Sequence, residues 1–202
     1  MTIIKGYNIN MEEIEVKFLD IDVASLTKQL KKIGAKKVGS YFYKRRVFDY
    51  PDLRLNALHA WVRLRDEGDK ITLAYKQRQG VIASDGKSND VSMKEIEVEV
   101  SDFDETAELL RAIGLKEKFY EENKRIRYKK GATEFDIDTW PKIPTYLEIE
   151  AKSWAGIDRA IKELGLDPEK KKIFSTHQVY KLYGIEEFDY SRVAFDKMVK
   201  QK

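Results

Sequence analysis

An internal repeat constrains the fold of this chain more than any other feature of its sequence. The segment Glu-Ile-Glu-Val occurs at residues 13–16 and again at 95–98. Each copy is followed by an Asp-x-Asp segment, an amphipathic run with helical spacing, and a glycine, at position 34 or 114. Aspartate and glycine are typical of the first and last positions of helices. We therefore predict two similar halves, 11–79 and 93–152, each of which begins with a strand and a helix.

Each half then contains three further segments with the composition of strands. The aromatic and β-branched runs 41–50 and 119–128 both carry a Lys-Arg pair, at the same distance from the preceding glycine. Alternating runs follow at 60–66 and 70–76, and at 133–139 and 145–152. A third helix is predicted at 154–164, and a small, polar loop at 80–89. These segments predict an α+β fold with about eight antiparallel strands.

Charged and apolar residues alternate along almost every predicted strand. Because successive side chains of a strand point to opposite faces, each strand has one charged and one apolar face. For a single strand, a sheet with one solvated face explains this pattern. For the whole set we predict a closed eight-stranded barrel, because large sheets tend to curl or close. The helices would pack on its apolar outer face, and the charged side chains would line the lumen.

The mixture of charges on the predicted inner face indicates the kind of ligand. The chain has 38 Lys and Arg residues against 35 Asp and Glu residues, so its net charge is only +3. Arginine and lysine bind phosphate oxygens, whereas carboxylates hold hard divalent ions such as Mg²⁺ or Mn²⁺. An enclosed mixture of both therefore favours a metal-bound phosphate ligand over nucleic acid, for which an all-basic groove would be expected.

The composition also excludes several classes of site. The chain has no cysteine, which excludes disulfides, Cys-ligated zinc and thiol catalysis. It has only two histidines, His59 and His177, which argues against a His-rich metal site or a Ser-His-Asp triad. His177 is predicted to lie on the surface. Neither a signal peptide nor a membrane span is expected, so we predict a cytoplasmic protein with no membrane or nucleic-acid partner.

The opening segment Glu13-Ile14-Glu15-Val16-Lys17 resembles the Glu-x-Glu-x-Lys signature of CYTH proteins, or triphosphate tunnel metalloenzymes. This family contains class IV adenylyl cyclases, thiamine triphosphatases and inorganic triphosphatases. The likeness extends over residues 11–184 and rests on the order and spacing of charged residues along the strands. These residues are Arg63, Arg65, Lys76, Glu97, Glu99, Arg125, Asp138, Glu148 and Glu150.

The resemblance implies a tunnel that binds a triphosphate together with one or two divalent ions, Mg²⁺ or Mn²⁺. The implied metal ligands are Glu13, Glu15, Asp138, Glu148 and Glu150. The implied phosphate-binding residues are Lys17, Arg45, Arg63, Arg65, Lys76, Arg125 and Arg127. Three of these, Lys17, Arg65 and Lys76, are the implied catalytic residues. For any single residue of the set, a structural ion pair inside the barrel is the alternative.

Three functions are compatible with this interpretation. The preferred one is metal-dependent hydrolysis of a phosphoanhydride bond in inorganic, nucleoside or thiamine triphosphate. The second is a class IV adenylyl cyclase, which forms cyclic AMP and pyrophosphate from ATP. That branch ends in a Ser-Tyr-x-x-Leu-Leu-like segment, whereas this chain has Gln-Val-Tyr-Lys-Leu-Tyr at 178–183. The third is a noncatalytic binder of triphosphorylated ligands or polyphosphate.

The predicted domain covers residues 1–184 and is followed by a tail at 185–202. We predict that this tail is a loose helix or contacts a partner, and a homodimer is left open.

Overall fold

The computed structural model describes residues 14–79 and 92–201, which form one ten-stranded sheet and five helices. The predicted metal ligand Glu13 and the predicted loop at 80–89 lie outside the described residues. The strands are β1 Ile14–Phe18, β2 Lys36–Asp49, β3 Ala60–Asp66, β4 Ile71–Gln79, β5 Ser92–Val100, β6 Lys116–Lys130, β7 Thr133–Thr139, β8 Tyr146–Ala151, β9 Tyr190–Val193 and β10 Met198–Lys200. The helices are α1 Val23–Lys32, α2 Arg54–Ala57, α3 Phe103–Ala112, α4 Trp154–Leu164 and α5 Thr176–Leu182.

Helices α1 and α3 begin and end at equivalent residues of the two halves, as predicted. The Asp22 carboxylate accepts a hydrogen bond from the Ser25 amide at 2.6 Å, and the Asp102 carboxylate accepts one from the Glu105 amide at 2.7 Å. Such caps satisfy amide groups that have no partner within the helix. Both helices are followed by a glycine at positive φ, 82° and 96°, a conformation in which glycine has no steric penalty.

The strand order of the main sheet is β1-β8-β7-β6-β2-β3-β4-β5, and all of these neighbours pair antiparallel. The two halves meet where β2 pairs with β6 along most of their length. The opening strand of each half pairs with the last strand of the other half, β1 with β8 and β5 with β4. The repeat therefore produces two similar four-stranded units that exchange their first strands.

The prediction of a closed barrel is not confirmed, because the hydrogen-bonded path is open between β1 and β5 in the described part of the chain. The free edge of β1 instead forms a bridge with the segment that follows α4. The Lys17 amide donates to the Lys172 carbonyl at 2.8 Å, and the Lys172 amide donates to the Lys17 carbonyl at 2.9 Å. This segment occupies the edge of β1 that a closing strand would need.

The helices cover the apolar face of the sheet, as predicted. Helices α1 and α4 pack on β1, β7 and β8 through a core that includes Leu30, Ile149 and Ile157. Helix α3 packs on the other unit through a second core that includes Phe48 and Leu64. Burial of these apolar side chains is the main source of stability of such a two-layer arrangement. None of the helices in the described residues is long and apolar enough to cross a membrane.

The tail does not form the predicted loose helix. After a 3-10 turn at Glu187–Asp189, β9 pairs parallel with β6 and β10 pairs antiparallel with β9. Strand β9 takes the edge of β6 beyond the point where β7 ends, since β7 pairs with β6 only from Lys124 onward. The free edge of β6 offers unpaired backbone groups to β9, and the residue pattern of the tail does not reveal this pairing.

Candidate functional site

The registers place the predicted charged residues on one face of the sheet, opposite the helices. We call this the polar face. Reading across from β1, the registers align Lys17 with Glu148, Asp138 with Arg125, and Arg45 with Arg65. Its other charged members are Glu15, Glu150, Glu134, Asp136, Arg127, Glu121, Arg63, Lys76, Glu95, Glu97 and Glu99. The side chains of the polar face converge, because Arg125 reaches Glu148 across β7 at 3.1 Å and Arg63 reaches Glu97 across β4 at 3.3 Å.

Strands β1, β7 and β8 form the acidic part of the polar face. Its central pair is Lys17, which is only 2% exposed, and Glu148, with 3.1 Å between Nζ and Oε2. Lys17 also forms an ion pair with Glu15. Burial by itself raises the pKa of Glu148, but the nearby Lys17 and Arg125 cations outweigh it and lower the pKa to about 2. Glu148 therefore stays ionised inside the protein.

Arg125 on β6 neutralises the remaining buried carboxylates of the acidic part. Its guanidinium donates to Asp138 in a bidentate pair, with Nε to Oδ1 at 2.7 Å and Nη2 to Oδ2 at 2.5 Å. Its Nη1 lies 2.7 Å from Asp136, which also pairs with Arg127. Burial raises the pKa of Asp138, while Arg125 lowers it. Burial likewise lowers the pKa of Arg125, but Asp138 and Glu148 raise it well above its ordinary value. Without Arg125, this part would hold several uncompensated negative charges.

Strands β2, β3 and β4 form the cationic part, which contains Arg45, Arg63, Arg65 and Lys76. Three of these cations pair with carboxylates at the edge of the site. Arg63 lies 3.2 Å from Glu95, Lys76 lies 3.0 Å from the same residue, and Arg65 lies 2.5 Å from Glu67.

The cations of this part are buried and close to one another. Burial, together with Arg65 and Arg45, lowers the pKa of Arg63 to about 10. Burial and Arg63 also lower the pKa of Lys76. In addition, Arg63 Nε, Arg65 Nε and Thr72 Oγ1 are buried polar atoms that lack a hydrogen-bond partner among the described residues. Orphaned donors beside crowded cations indicate that an anion with several acceptor oxygens would bind here.

Arg45 lies between the two parts and is held from several sides. Its guanidinium donates to Asn123 at 2.6 Å and lies 3.9 Å from Glu121. The rings of Tyr43 and Trp140 lie on it, at 5.2 Å and 5.1 Å from the guanidinium carbon. Burial is the main cause of the lowered pKa of Arg45. The position of Arg45 is therefore fixed before any ligand binds.

Carboxylates are suitable ligands for a divalent ion, but those of the described residues do not form a complete coordination site. The described residues contain no cluster of three or more His, Asp or Glu side chains suited to a metal ion. Glu148 and Asp138 point instead to Lys17 and Arg125. The register does place Glu15 opposite Glu150, and Glu150 opposite Glu134. Like charges at facing positions destabilise a sheet, and an oxygen-seeking cation would offset this repulsion. The metal ligands implied by the sequence remain predictions.

Several residues of the site were missed from the sequence. Asn123 and Glu121 continue the two-residue period of Arg127 and Arg125 along β6, so strand periodicity alone could have identified them. Burial raises the pKa of Glu121 to about 7, and the buried Glu187 of the tail adds to this rise, but no sequence pattern connects Glu187 to the site. His177, predicted to be a surface residue, is 24% exposed and stacks on Phe188 with 4.0 Å between ring centroids.

Comparison with known families identifies the fold and its ancestry. The family model for the CYTH domain matches residues 11–183. The chain belongs to the CYTH family. The match includes β1 to β8, all five helices and every predicted site residue, and it ends before the tail strands.

The chain is similar to one curated relative and, in fold, to two solved structures. A candidate adenylate cyclase of Methanocaldococcus jannaschii is 29% identical over 154 residues, which cover 76% of this chain and 84% of that protein. The structure of a Pyrococcus horikoshii protein matches with a TM-score of 0.64 and 22% identity, over 83% of this chain and 99% of that one. A Hippeastrum protein, first considered an adenylyl cyclase and described as having a dominant triphosphatase activity, matches with a TM-score of 0.59 and 14% identity over 85% and 95%.

Proposed function

We propose that this CYTH protein is a divalent-metal-dependent enzyme that binds a triphosphate on the polar face and hydrolyses one of its phosphoanhydride bonds. The crowded cations of the cationic part carry the proposal. Arg63, Arg65 and Thr72 have buried donors without acceptors, and a triphosphate chain offers many acceptor oxygens. Burial, followed by the neighbouring Arg65 and Arg45, lowers the pKa of Arg63 to about 10, so a bound anion would favour its charged form.

The roles of the chain's own residues follow from their positions. Arg63, Arg65 and Lys76 would hold the phosphate oxygens, and Arg45 and Arg125 would fix the chain where the two parts meet. Lys17 would contact a phosphoryl group beside the acidic part, where it is already paired with Glu148. Phosphoryl transfer requires mainly positioning and compensation of charge, and these fixed cations would supply both.

The metal ion is part of the proposal. Glu13, Glu15, Glu148 and Glu150, with Asp138, would hold Mg²⁺ or Mn²⁺ through carboxylate oxygens. When bound, such an ion neutralises phosphate charge and makes bound water more acidic. Glu148 is already paired with Lys17, and Asp138 with Arg125. To bind a metal ion, these carboxylates would have to exchange their cationic partners for the metal.

A second candidate activity is formation of cyclic AMP, favoured by the candidate adenylate cyclase of M. jannaschii. The stretch 178–183 weighs against it. Val179 and Tyr180 in this stretch are fully buried, and the Tyr180 hydroxyl donates to the Pro141 carbonyl at 2.9 Å. These side chains are engaged in packing, so they do not offer a surface for adenine. A noncatalytic binder ranks third, because it would not need the carboxylates of β1 and β8.

A substrate panel tests the proposal. Inorganic triphosphate, thiamine triphosphate and ATP are incubated with the metal-stripped protein, with Mg²⁺ or Mn²⁺ and with a chelator. Free phosphate is expected from at least one substrate only when metal is present. Cyclic AMP with pyrophosphate would instead support the cyclase. Release of neither would overturn the enzymatic proposal, and full activity with the chelator would overturn the metal requirement.

A pair of lysine variants tests the site itself. Lys76→Met should lower kcat/KM at least tenfold, because a single charge-assisted contact to phosphate is worth about 1.5–3 kcal/mol. Lys28→Met, on the exposed surface of α1, is the matched control and should leave kcat/KM unchanged. If the two variants have the same kcat/KM, Lys76 does not bind the substrate.

A further inference from the structure

One uncharged residue interrupts the charged row that β6 contributes to the polar face. Along this face the strand carries Glu121, Asn123, Arg125 and Arg127. Asn123 is 0% exposed and lies opposite Tyr43 on β2. A fully buried primary amide is costly unless its donor and its acceptor both find partners. The partners of this amide therefore indicate what it contributes to the site.

The Asn123 amide joins the two parts of the polar face. Its Oδ1 accepts a hydrogen bond from Arg45 Nη1, in the cationic part, at 2.6 Å. Its Nδ2 donates a longer hydrogen bond to Asp138 Oδ1, in the acidic part, at 3.4 Å. The same Asp138 carboxylate accepts the bidentate pair from Arg125. A continuous chain of hydrogen bonds thus leads from Arg45 through Asn123 into the acidic part.

The chemistry of its two neighbours requires a neutral amide at this position. Arginine offers donors only, and an ionised aspartate offers acceptors only, so the residue between them must do both. The amide oxygen therefore faces Arg45, and the amide nitrogen faces Asp138. A carboxylate in place of Asn123 would set a like charge beside Asp138, and a cation would set one beside Arg45.

The bond from Asn123 restrains a guanidinium that other forces would displace. The carboxylate of Glu121 lies 3.9 Å from Arg45, beyond hydrogen-bond distance, and attracts it. Arg65 and Arg125 repel it. The two aromatic rings that lie on the guanidinium restrict its face, whereas the bond to Asn123 directs one N–H group within its plane.

We propose that Asn123 is a positioning residue of the triphosphate site, which holds Arg45 in place for the phosphate chain. This inference rests on the proposed function, which assigns phosphate binding to Arg45. Asp138 fixes the orientation of the Asn123 amide, and the amide in turn fixes the guanidinium. Without Asn123, Arg45 would be drawn to Glu121. A displacement of about 1 Å at such a group can cost about 100-fold in rate.

A double-mutant cycle tests whether Asn123 acts through Arg45. The Kd of inorganic triphosphate is measured by calorimetry without metal for the natural chain, Asn123→Ala, Arg45→Met and the double variant. Arg45→Met should raise Kd at least tenfold, and Asn123→Ala should raise it about three- to tenfold. The double variant should bind within about twofold of Arg45→Met, because Asn123 then has no guanidinium left to position.

The cycle separates positioning from damage to the fold. If Asn123→Ala merely disturbed the structure, its loss of affinity would recur in the Arg45→Met background and the two losses would multiply. Multiplied losses, or an unchanged Kd of Asn123→Ala, would overturn the proposal. Asn56→Ala, which changes an exposed asparagine on α2, is the matched control and should keep the natural Kd. If Asn123→Ala fails to fold, Asn123→Leu, of similar size but without polar atoms, takes its place in the cycle.

Phosphate release, measured separately with Mg²⁺ or Mn²⁺, distinguishes this proposal from the proposed function. If the natural chain binds triphosphate but releases no phosphate, the enzymatic proposal fails, and the cycle still decides the role of Asn123. If the chain hydrolyses triphosphate but the two losses multiply, the positioning role fails and the enzymatic proposal is supported. A natural chain without measurable affinity for triphosphate would overturn both.

Discussion

Lys17 and Glu148 show how a single pair of residues can serve both the fold and the site. Both side chains are almost fully buried and lie on paired positions of β1 and β8. A buried ion pair is weak evidence for net stability, but removal of one partner leaves the other charge uncompensated. Substitutions in this pair should therefore affect stability as well as turnover.

Glu148→Ala should abolish metal-dependent turnover and also lower the free energy of unfolding by about 3 kcal/mol. The second effect arises because Lys17 would keep only its pair with Glu15, which is partly exposed. Urea denaturation at neutral pH measures the loss, and phosphate release measures turnover. If the variant keeps full turnover, Glu148 is not a metal ligand, and if it keeps full stability, the buried pair is not needed for the fold.

The acid dependence of stability gives an independent measure of the same carboxylate. The pKa of Glu148 is lowered to about 2, because Lys17 and Arg125 outweigh the opposing effect of burial. Its contribution is therefore complete above the unfolded value of 4.5 and is lost as the pH falls toward 2. Glu148→Gln, which keeps the shape of the side chain, should reduce the loss of unfolding free energy between pH 6 and pH 3. An unchanged acid profile would show that other carboxylates cause the acid sensitivity.

At the level of helices and strands, the local sequence pattern predicted the secondary structure of each segment but not which distant segments pair. The eight strands of the repeat, the two capped helices and the charged face all follow from periodicity, and the structure contains them. The exchange of first strands between the two units and the bridge between Lys17 and Lys172 depend on contacts between distant segments. The C-terminal segment 185–201 illustrates the same limit, since nothing in its sequence indicates that β6 has a free edge for it to pair with.

Two valines of the C-terminal segment 185–201 provide a matched test of its contribution to stability. Val193 on β9 is buried and lies in the core with Tyr180 and Trp140, whereas Val199 on β10 is 39% exposed. Val193→Ala should lower the free energy of unfolding by about 2 kcal/mol, because it loses apolar burial and leaves a cavity. Val199→Ala should change it by less than about 0.5 kcal/mol. Urea unfolding compares the two, and equal effects would mean that the C-terminal segment is not part of the cooperative core.

In the whole molecule, the polar face separates charge into an acidic part and a cationic part. Arg125 reaches three carboxylates at once, whereas Arg63, Arg65 and Arg45 crowd one another. A protein keeps such an unfavourable arrangement of charge when a ligand relieves it. The cationic part should therefore reduce the stability of the free protein and make the stability depend on bound anion.

Arg63→Met tests this trade-off between stability and binding. Burial and the nearby arginines lower the pKa of Arg63, so its charge is less favourable in the folded state than in the unfolded state. Its partners would remain compensated, because Glu95 keeps Lys76 at 3.0 Å and Glu97 keeps Arg65 at 3.8 Å. We expect the variant to be as stable as the natural chain or more stable in the absence of ligand, as measured by thermal denaturation.

Inorganic triphosphate should reverse this order of stability, so that the natural chain becomes more stable than Arg63→Met. A ligand at one hundred times its Kd stabilises the native state by about 2.7 kcal/mol, and the natural chain should gain this amount while Arg63→Met gains much less. Arg54→Met, which removes an exposed arginine paired with Asp52, should keep the full gain and thus controls for the loss of one positive charge. A lower stability of free Arg63→Met would show that Arg63 is a structural ion-pair partner. An undiminished gain with triphosphate would show that the anion binds elsewhere, because the crowded arginines would then have no ligand to relieve them.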